Sequence, residues 1–362
     1  MTTVTAPAAP PGAGTAGIRK ARGGGFWRYL LVRFLLIFPT IFILVTLVFF
    51  LMRLTGDPIT ASLGDRLTPD QLAERIHEAG YDRPILVQYL EYLGQIFTGN
   101  FGNSITDGRP ITDILWTYGS ATLELAVYAL IVAFIVGIPL GMVAAYFRDR
   151  WGDASLRVFA ILCYATPVFF AGLVLKLVFS VWLKWLPVAG RASTRTEIKI
   201  QQLDDQTGIY LIDAIRTGSA AAVGDVLAHA VLPALALGLL TAGVFLRLVR
   251  TNVIGTLSRD YVDAARSRGV REYRLVRKHA LKPALVPIIT VIGLQIAMLL
   301  GGAVLTETTF EWKGLGFQLA YYLSKRDFVA VQGIVALLAV IVALTNFIVD
   351  LIAAILDPRV RY

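Results

Sequence analysis

Six long apolar segments constrain the fold of this chain more than any other feature. Each has at least the length of about 20 apolar residues that a helix needs to cross a bilayer. Backbone amides inside a membrane must bond to one another, which in an apolar segment of this length means an α-helix. The sequence therefore predicts an all-α integral membrane protein with six transmembrane helices, of which the third and sixth are long enough to tilt or to extend into the interface. The segments lie near Tyr29–Leu51, Leu123–Tyr146, Leu156–Leu186, Ala228–Val249, Ala284–Leu305 and Phe328–Leu356.

Composition agrees with a membrane protein and argues against several other classes. Of the 362 residues, 56% are hydrophobic and 16% are charged, whereas soluble domains average roughly 45–50% and 25%. The net charge of +9 lies between apolar runs rather than on a basic surface with stacking aromatics. We therefore predict membrane lipid and no nucleic acid as a partner. Cys163 is the only cysteine, which excludes an intrachain disulfide, and the three histidines are too far apart to predict a metal site.

The sequence lacks the common motifs that would give the chain chemistry of its own. It has no Gly-x-x-x-x-Gly-Lys-Ser/Thr phosphate loop, no His-Glu-x-x-His helix and no Gly-x-Ser-x-Gly turn around a nucleophile. We predict no catalytic residue, no bound cofactor and no ATPase site. An energy-driven transporter built on this chain would therefore need ATPase partners.

The distribution of positive charge predicts the orientation in the membrane. If the N-terminus is cytoplasmic, the segments on that side carry 19 Lys and Arg residues, and the longer segments on the other side carry 12. An excess of Lys and Arg marks cytoplasmic loops. Both termini are thus predicted to be cytoplasmic, and residues 1–25, rich in Ala, Pro and Gly, are predicted to be a disordered tail.

A cationic segment, Asp260–Pro283, separates the fourth apolar segment from the fifth. Helical spacing predicts a short helix with the aspartate at position 260 as its N-cap and Gly269 at its end. In a second helix, Tyr273, Val276 and Ala280 are predicted to share one face. An alanine-faced element of this size would fit a groove in another protein. A basic loop that only fixes topology is the alternative, and the residues alone leave both interpretations open.

The polar segments on the other side are predicted to be partly helical. Thr68-Pro-Asp-Gln71 is a capping box that begins a helix ending before Gly80. The apolar spacing of residues 84–97 predicts a second helix that lies against the membrane surface or the protein's outer end. A further short helix is expected near Ile209–Ile215. The predicted divisions are a first transmembrane helix (26–54), an external helical loop (55–117), a helical membrane core (118–357) with a cytoplasmic loop (251–283), and a cytoplasmic C-terminus (358–362).

Several motifs resemble those of one transporter family. Asp263-Ala-Ala-Arg-Ser-Arg-Gly269 is similar to the Glu-Ala-Ala-x-x-x-Gly loop of ABC importer permeases, with Asp in place of Glu. Further matches to the dipeptide and oligopeptide permease family follow in order from residue 30 to the C-terminus, although Lys313 replaces a proline of the family pattern. They include Gly56-Asp-Pro58, Asp82-Arg-Pro-Ile-Leu-Val-Gln-Tyr89, Ala121-Thr-Leu-Glu-Leu-Ala126, Gly137-Ile-Pro-Leu-Gly141, His279-Ala-Leu-Lys-Pro283, Glu307-Thr-Thr-Phe-Glu-Trp312 and Leu356-Asp-Pro-Arg-Val-Arg-Tyr362.

The resemblance implies a type I ABC importer permease (MetI-like) fold in the bacterial cytoplasmic membrane. It implies that the chain pairs with a second homologous permease subunit and that two ABC ATPase subunits bind from the cytoplasm. It also implies that an extracytoplasmic peptide-binding protein delivers di- or oligopeptides, which cross by alternating access. The residues that would contact an ATPase are Asp263, Ala264, Ala265, Arg268, Gly269, Tyr273 and His279.

Three polar residues in apolar segments are candidates for the translocation path: Lys176, Glu124 and Gln295. Lys176 lies roughly 16 Å from the outer end of its helix, near the middle of the bilayer, and snorkelling along a tilted helix is the alternative. For Glu124 the alternative is an interhelical or helix-end hydrogen bond, which is also the expectation for Asp350. Gly137-Ile-Pro-Leu-Gly141 is expected to permit a bend and close helix packing.

Other functions stay open on the sequence. Nickel and oligosaccharide importers use similar permeases, although the scarcity of histidine in the outer loops argues against a metal route. A passive channel would transport without ATPase partners and would give the Asp263–Gly269 helix no role. A membrane scaffold would show no solute-dependent phenotype.

Overall fold

The computed structural model describes residues 25–54, 56–64 and 67–356. Within them the regular elements are helical, and one isolated β-bridge joins Asn103 to Pro110. The two predicted tails, 1–25 and 358–362, lie outside this part of the chain, except that Gly25 begins the first helix.

The helices are of two kinds, long apolar ones and short connecting ones. The long helices are α1 (Gly25–Leu54), α5 (Ile111–Tyr146), α6 (Trp151–Ala165), α10 (Ala220–Leu257), α13 (Leu281–Phe310) and α15 (Phe328–Leu356). The short ones are α2 (Pro58–Leu63), α3 (Pro69–Glu78), α4 (Ile85–Phe97), α7 (Val168–Leu175), α8 (Thr194–Gln201), α9 (Tyr210–Arg216), α11 (Asp260–Ser267), α12 (Glu272–Arg274) and α14 (Leu315–Ser324). Two π-helices, Lys176–Trp182 and Leu275–Ala280, continue α7 and α12.

All six apolar segments coincide with helices, but the third, which was predicted as a single span, is broken into two helices. By length and composition, α1, α5, α10 and α15 can each cross a membrane, and α13 is a 30-residue helix over the fifth segment. In the third segment, α6 and α7 meet at an angle of 106°. Pro167 lacks an amide proton and disfavours helical backbone at Thr166, whose ψ is 127°, and this accounts for the break. The arrangement is compatible with six crossings.

The helices α5 and α10 form the centre of the fold and lie against each other along much of their length. Glycine allows this approach. A Cβ on Gly137 would lie 2.8 Å from the carbonyl oxygen of Ala242, and one on Gly141 would lie 2.6 Å from Cβ of Val249. A Cβ on Gly238 of α10 would meet α5 at a similar distance. Small residues of this kind let helix backbones approach in membranes, so the predicted close packing of the 137–141 segment is confirmed.

The first helix lies at the edge of the fold and packs on α15. An ion pair of 3.3 Å between Arg33 Nη1 and Asp350 Oδ2 joins the two helices. Asp350 therefore takes the interhelical role that the sequence suggested.

The short helices follow local sequence signals closely. At α3, the Thr68 amide donates to Oε1 of Gln71 and the Gln71 amide donates to Oγ1 of Thr68, which completes the predicted capping box. The predicted helices near 84–97 and 209–215 are α4 and α9. The structure adds α2, α8 and α14, which the sequence analysis did not predict. In α8, Ile200 is the one buried apolar residue and gives no helical period.

The helical core has two ends, and each is named after a short helix that lies there. The α11 end carries α11, α12 and the π-helix Leu275–Ala280. The α9 end carries α3, α4, α8, α9 and α14. At the α9 end, Oδ2 of the buried Asp327 accepts hydrogen bonds from Ser104 Oγ at 2.8 Å and from the Thr106 amide at 2.9 Å, which fastens the turn before α5 to the start of α15.

Candidate functional site

The α11 end presents a short helix with an exposed outer face. Asp263, Ala264 and Arg268 are exposed and Ala265 is half-buried, whereas Val262 on the inner side is fully buried. A helix of eight residues with small side chains on its outer face has the size and shape of an element that fits a groove in a partner.

The turn after α11 requires glycine. Gly269 has φ +78°, and its amide donates to the Arg266 carbonyl at 2.9 Å while the Val270 amide donates to the Ala265 carbonyl at 3.3 Å. A Cβ at this position would meet nothing within 4 Å. The requirement therefore comes from the left-handed backbone and not from lack of space. The predicted helix end is confirmed.

The predicted N-cap of α11 is wrong by one residue. Arg259 has the extended backbone of the N-cap position, with no side-chain cap, and Asp260 is already the first helical residue. An acidic residue in the first turn still interacts favourably with the helix dipole. The aspartate therefore marked the start of the helix correctly but placed the N-cap one residue too late.

One arginine holds α11 to α12. Arg266 forms an ion pair with Asp263 on its own helix and another of 3.1 Å with Glu272. The hydrogen bond with Glu272 raises the pKa of the Arg266 guanidinium above its ordinary value. Within the described residues the carboxylate of Asp263 thus has a partner in its own chain, and an ATPase contact would have to share it.

The segment after α12 is mounted on the core. Val276 and Ala280 are buried in a cluster with Val249 and Val253 of α10. Tyr273 is 59% exposed, so the prediction that it shares a face with Val276 and Ala280 is wrong. Residues 275–280 form a π-helix, whose wider turn changes the spacing on which that prediction rested.

The loop also closes on itself. The hydroxyl of Tyr261 on α11 donates to the backbone carbonyl of His279 at 3.4 Å. Because the π-helix that contains His279 runs directly into α13, a displacement of α11 would be passed to two long helices, α10 and α13. The roles predicted for His279 and Tyr273 in ATPase contact stay predictions.

The three candidate path residues have different surroundings. Nζ of Lys176 donates to the Thr309 carbonyl at 2.8 Å, at the carboxyl end of α13. This uses one of the three donors of the ammonium group. Gln295 of α13 is buried, and its Oε1 has no hydrogen-bond partner in the described part of the chain. The path assignments of Lys176 and Gln295 stay predictions.

Glu124 joins α5 to the polar loop at the α9 end. Its Oε2 lies 2.5 Å from Nη2 of Arg191, and its Oε1 accepts from the Tyr128 hydroxyl at 2.8 Å and from the Leu211 amide at 2.9 Å. The Arg191 guanidinium carbon lies 3.7 Å from the ring centroid of Tyr210, whose pKa is raised by burial. Because α5 begins at Ile111, Glu124 is not at the end of its helix as expected, and the bond to the Leu211 amide of α9 is the interhelical alternative that the sequence left open. The path assignment of Glu124 stays a prediction. Arg191 was missed, and the buried acid's need for a partner was its one signal.

A second buried acid lies beside this pair. Oε1 of Glu307 accepts from Thr122 Oγ1 at 2.7 Å, and its Oε2 accepts from the Phe317 amide at 2.9 Å. Nε1 of Trp312 donates to the Ala121 carbonyl at 2.9 Å. Two motifs that are distant in the sequence, 121–126 and 307–312, therefore meet at the α9 end, where the bonded Thr122 and Glu307 are 185 positions apart.

A third buried acid fixes α6 to α10 near the α11 end. Asp153 is fully buried, and its two carboxylate oxygens lie 2.5 and 2.6 Å from Nε and Nη2 of Arg250. A bidentate pair of this kind is strong and directional. Sequence analysis missed it because the partners are 97 positions apart.

The two ends therefore differ in kind. The α11 end has an exposed, rigidly mounted helix, and the α9 end has buried polar contacts that join loops to the core. Among the described residues, no three or more His, Cys, Asp or Glu side chains are grouped so that they could hold a metal ion.

Two known protein families match most of this chain. The family of binding-protein-dependent transport system inner membrane components matches residues 137–362, and the N-terminal region of such membrane components matches residues 26–111. A solved inward-facing structure of the MetNI methionine ABC transporter is similar with a TM-score of 0.49 and 16% identity, over 67% of this chain and 96% of that chain.

Relatives match along nearly the whole chain. The Di/tripeptide transport system permease protein DppB of Pseudomonas aeruginosa is 38% identical over 329 residues, 90% of this chain and 96% of that protein. The Dipeptide transport system permease protein DppB of Escherichia coli is 37% identical over 337 residues, 92% of this chain and 99% of that protein. The protein of that name from Alkalihalophilus pseudofirmus is 33% identical over 335 residues, with 92% and 99% covered. With its apolar helices and these matches, the chain is a multi-pass membrane protein that belongs to the family of binding-protein-dependent transport system inner membrane components.

Proposed function

We propose that this chain is one of two permease subunits of an ATP-driven importer that carries dipeptides and short oligopeptides across the cytoplasmic membrane. One observation carries the substrate assignment. Its relatives named for di/tripeptide and dipeptide transport are 37–38% identical over 90–92% of this chain. The chain binds no cofactor of its own, and ATP is bound and hydrolysed by two partner ATPases.

The ATPases dock on α11. Its outer face is exposed and includes the small side chain of Ala264, and its inner face is held by the buried Val262. Arg266 ties α11 to α12, and the π-helix Leu275–Ala280 continues into α13. A movement of the ATPases would therefore shift α10 and α13 together, which is the kind of rigid-body change that alternating access needs.

The α11 end faces the cytoplasm and the α9 end faces outward. The excess of Lys and Arg between 247 and 282 supports this orientation. A peptide-binding protein then meets the α9 end, where α8, α9 and α14 lie, and a second homologous permease completes the translocation path.

Docking is tested by a bulky substitution on the outer face of α11. In the importer purified from its own host, Ala264→Trp should reduce the amount of co-purifying ATPase and the hydrolysis that substrate stimulates. Ala73→Trp is the matched control, since Ala73 is exposed on α3 at the opposite end. Parent-like hydrolysis in the Ala264→Trp importer would exclude α11 as the docking element.

The substrate is tested separately by uptake. Proteoliposomes with the complete importer should accumulate labelled dialanine only with ATP inside, and unlabelled tripeptides should compete. Accumulation of nickel or of a maltooligosaccharide without dialanine uptake would assign the chain to the other importers. Uptake that continues with an inactive ATPase would indicate a passive channel.

A further inference from the structure

A small polar cavity at the α9 end has no role in the proposed transport mechanism. It has a volume of about 90 Å³, is open on one side and lies where the end of α1 meets α3, α4 and α15. Four of its polar wall residues, which come from three different helices, carry buried atoms without a partner: Arg53, Gln88, Tyr92 and Gln332. They are here called the polar cavity residues.

The polar cavity residues carry five buried atoms without a hydrogen-bond partner in the described part of the chain. They are Nε and Nη1 of Arg53, Oε1 of Gln88, Oη of Tyr92 and Nε2 of Gln332. Gln88 and Gln332 are only 8% and 7% exposed. Buried polar atoms in native proteins are nearly always bonded to protein or water. Five such atoms around one cavity indicate that something polar occupies it.

The walls hold these atoms in fixed positions. Nε2 of Gln88 donates to the carbonyls of Tyr81 and Arg83 at 3.0 and 2.7 Å. The amide of Gln88 is therefore oriented, and its Oε1 is left as an acceptor. The Arg53 guanidinium carbon lies 5.1 Å from the ring centroid of Phe49 and 4.5 Å from that of Tyr81. These two aromatic contacts keep the guanidinium in place.

The charge balance favours an anion. Among the described residues, no carboxylate lies within 4 Å of the Arg53 guanidinium nitrogens to form an ion pair. Glu91 also lines the cavity, but it is bound to Arg83 at 2.6 Å. Among the described residues the Arg53 cation thus has no carboxylate in direct contact, although Asp57 and the Tyr81 hydroxyl interact with it electrostatically, and Glu91 is already paired with Arg83.

The pattern of donors and acceptors selects the chemistry of the ligand. Nε and Nη1 of Arg53 each offer an N–H donor on a positively charged group, and a carboxylate oxygen is the strong acceptor that such donors favour. Tyr92 and Gln332 add donors, while Oε1 of Gln88 requires an N–H group. We propose that the cavity binds a free carboxylate with a neighbouring amide N–H, as in an N-acylated amino acid or the C-terminal end of a short peptide. A volume of 90 Å³ takes that end of the molecule, and the rest projects through the opening.

This cavity is separate from α11 and from Glu124 and its hydrogen-bond partners, so it is tested on the purified chain alone in detergent. N-acetylglycine should raise the midpoint of thermal unfolding in a saturable way. The amide of N-acetylglycine, which lacks the carboxylate, should not do so at equal concentration, and sodium chloride controls for ionic strength. Acetate, which lacks the N–H group, should bind more weakly, and dialanine should bind like N-acetylglycine.

Substitutions assign the effect to the cavity. Arg53→Gln should weaken the apparent affinity for N-acetylglycine by about tenfold or more, because the positive charge and its charge-assisted hydrogen bonds are lost. Arg75→Gln is the matched control, since Arg75 is an exposed arginine on α3 whose ion pair is with Glu78. If Arg53→Gln does not fold, Tyr92→Phe and Gln332→Leu serve instead and should each weaken binding.

Three results would overturn the proposal. One is the absence of a saturable shift with N-acetylglycine in the parent protein. Another is an equal shift with its amide, which would mean that the carboxylate is not recognised. The third is an equal response of the parent, Arg53→Gln and Arg75→Gln proteins. In the first and third cases the cavity holds only water, which can also satisfy buried polar atoms.

Discussion

Oε2 of Glu124 lies 2.5 Å from Nη2 of Arg191, and the side chains of the two residues are only 2% and 7% exposed. Glu124 belongs to α5, and Arg191 precedes α8 in the loop at the α9 end. A buried ion pair is stable only when further hydrogen bonds satisfy its remaining polar atoms. Tyr128 and the backbone amides of Tyr210 and Leu211 supply such bonds to Glu124. The loop is therefore fastened to the membrane-spanning core.

Removing one partner of this pair should be far worse than removing both. Arg191→Met leaves a buried carboxylate without its cation, which costs about 3–5 kcal/mol. We expect a large fall in the urea midpoint of the detergent-solubilised chain and faster proteolysis within 187–219. The double variant Glu124→Gln/Arg191→Met should recover part of the loss. Equal stability of the single and double variants would show that the pair is not coupled.

Gly269→Ala should test the backbone at the end of α11. The added methyl group has free space, but φ of +78° costs about 1 kcal/mol or more for a residue with a Cβ. ATP hydrolysis stimulated by substrate should fall in the importer, while the amount of chain in the membrane is unchanged. Gly255→Ala, at an exposed helical glycine nearby with equal space, is the control. Normal coupling in the Gly269→Ala importer would contradict the role given to this turn.

Gly141→Ala should separate the α5 and α10 backbones. Its Cβ would lie 2.6 Å from Cβ of Val249 and 2.8 Å from the Leu246 carbonyl oxygen, and overpacking of this kind costs about 1–3 kcal/mol. Gly224→Ala in α10 has nothing within 4 Å and should stabilise the helix by about 0.5–1 kcal/mol. Thermal unfolding in detergent measures both. A stabilised Gly141→Ala protein would mean that the helices can separate without loss.

The orientation can be measured by labelling single cysteines in a Cys163→Ala background. A cysteine at Asp70 or Arg195, both exposed at the α9 end, should react with an impermeant thiol reagent added to spheroplasts. One at Ser267, exposed on α11, should react only after the membrane is permeabilised. The reason is the excess of Lys and Arg at the α11 end. The opposite pattern would overturn the orientation and the docking proposal together.

Lys176→Met should distinguish a path residue from one that only supports α13. The wild-type ammonium bonds the Thr309 carbonyl and retains two further donors that could attract a peptide carboxylate. We expect uptake of free-acid peptides to fall more than uptake of C-terminally amidated ones. Lys184→Met, at an exposed lysine just after the same π-helix, controls for the loss of charge. If the Lys176→Met importer takes up both peptides as the parent does, Lys176 only supports the end of α13.

Local signals predicted the elements of this fold well. The capping box at Thr68, the glycine after α11 and the apolar spacing of α4 each act within a few residues, so a sequence shows them directly. The break at Pro167 was also readable in principle, since proline restricts the residue before it, but the apolar run was interpreted as one span. The helix α8 had no such signal, because only Ile200 of its apolar residues is buried.

The sequence by itself determined the membrane class, the helical segments, the charge asymmetry and the family motifs, since each of these depends on composition or on short-range spacing. Only the tertiary structure decided which distant residues meet. Arg191 reaches Glu124, Arg250 reaches Asp153, and Arg53 reaches a cavity wall built from three helices. Pairing of this kind depends on where whole helices cross. Crossing positions follow from packing over the full length of the helices, such as the glycine contacts of α5 with α10, and no short stretch of sequence contains that information.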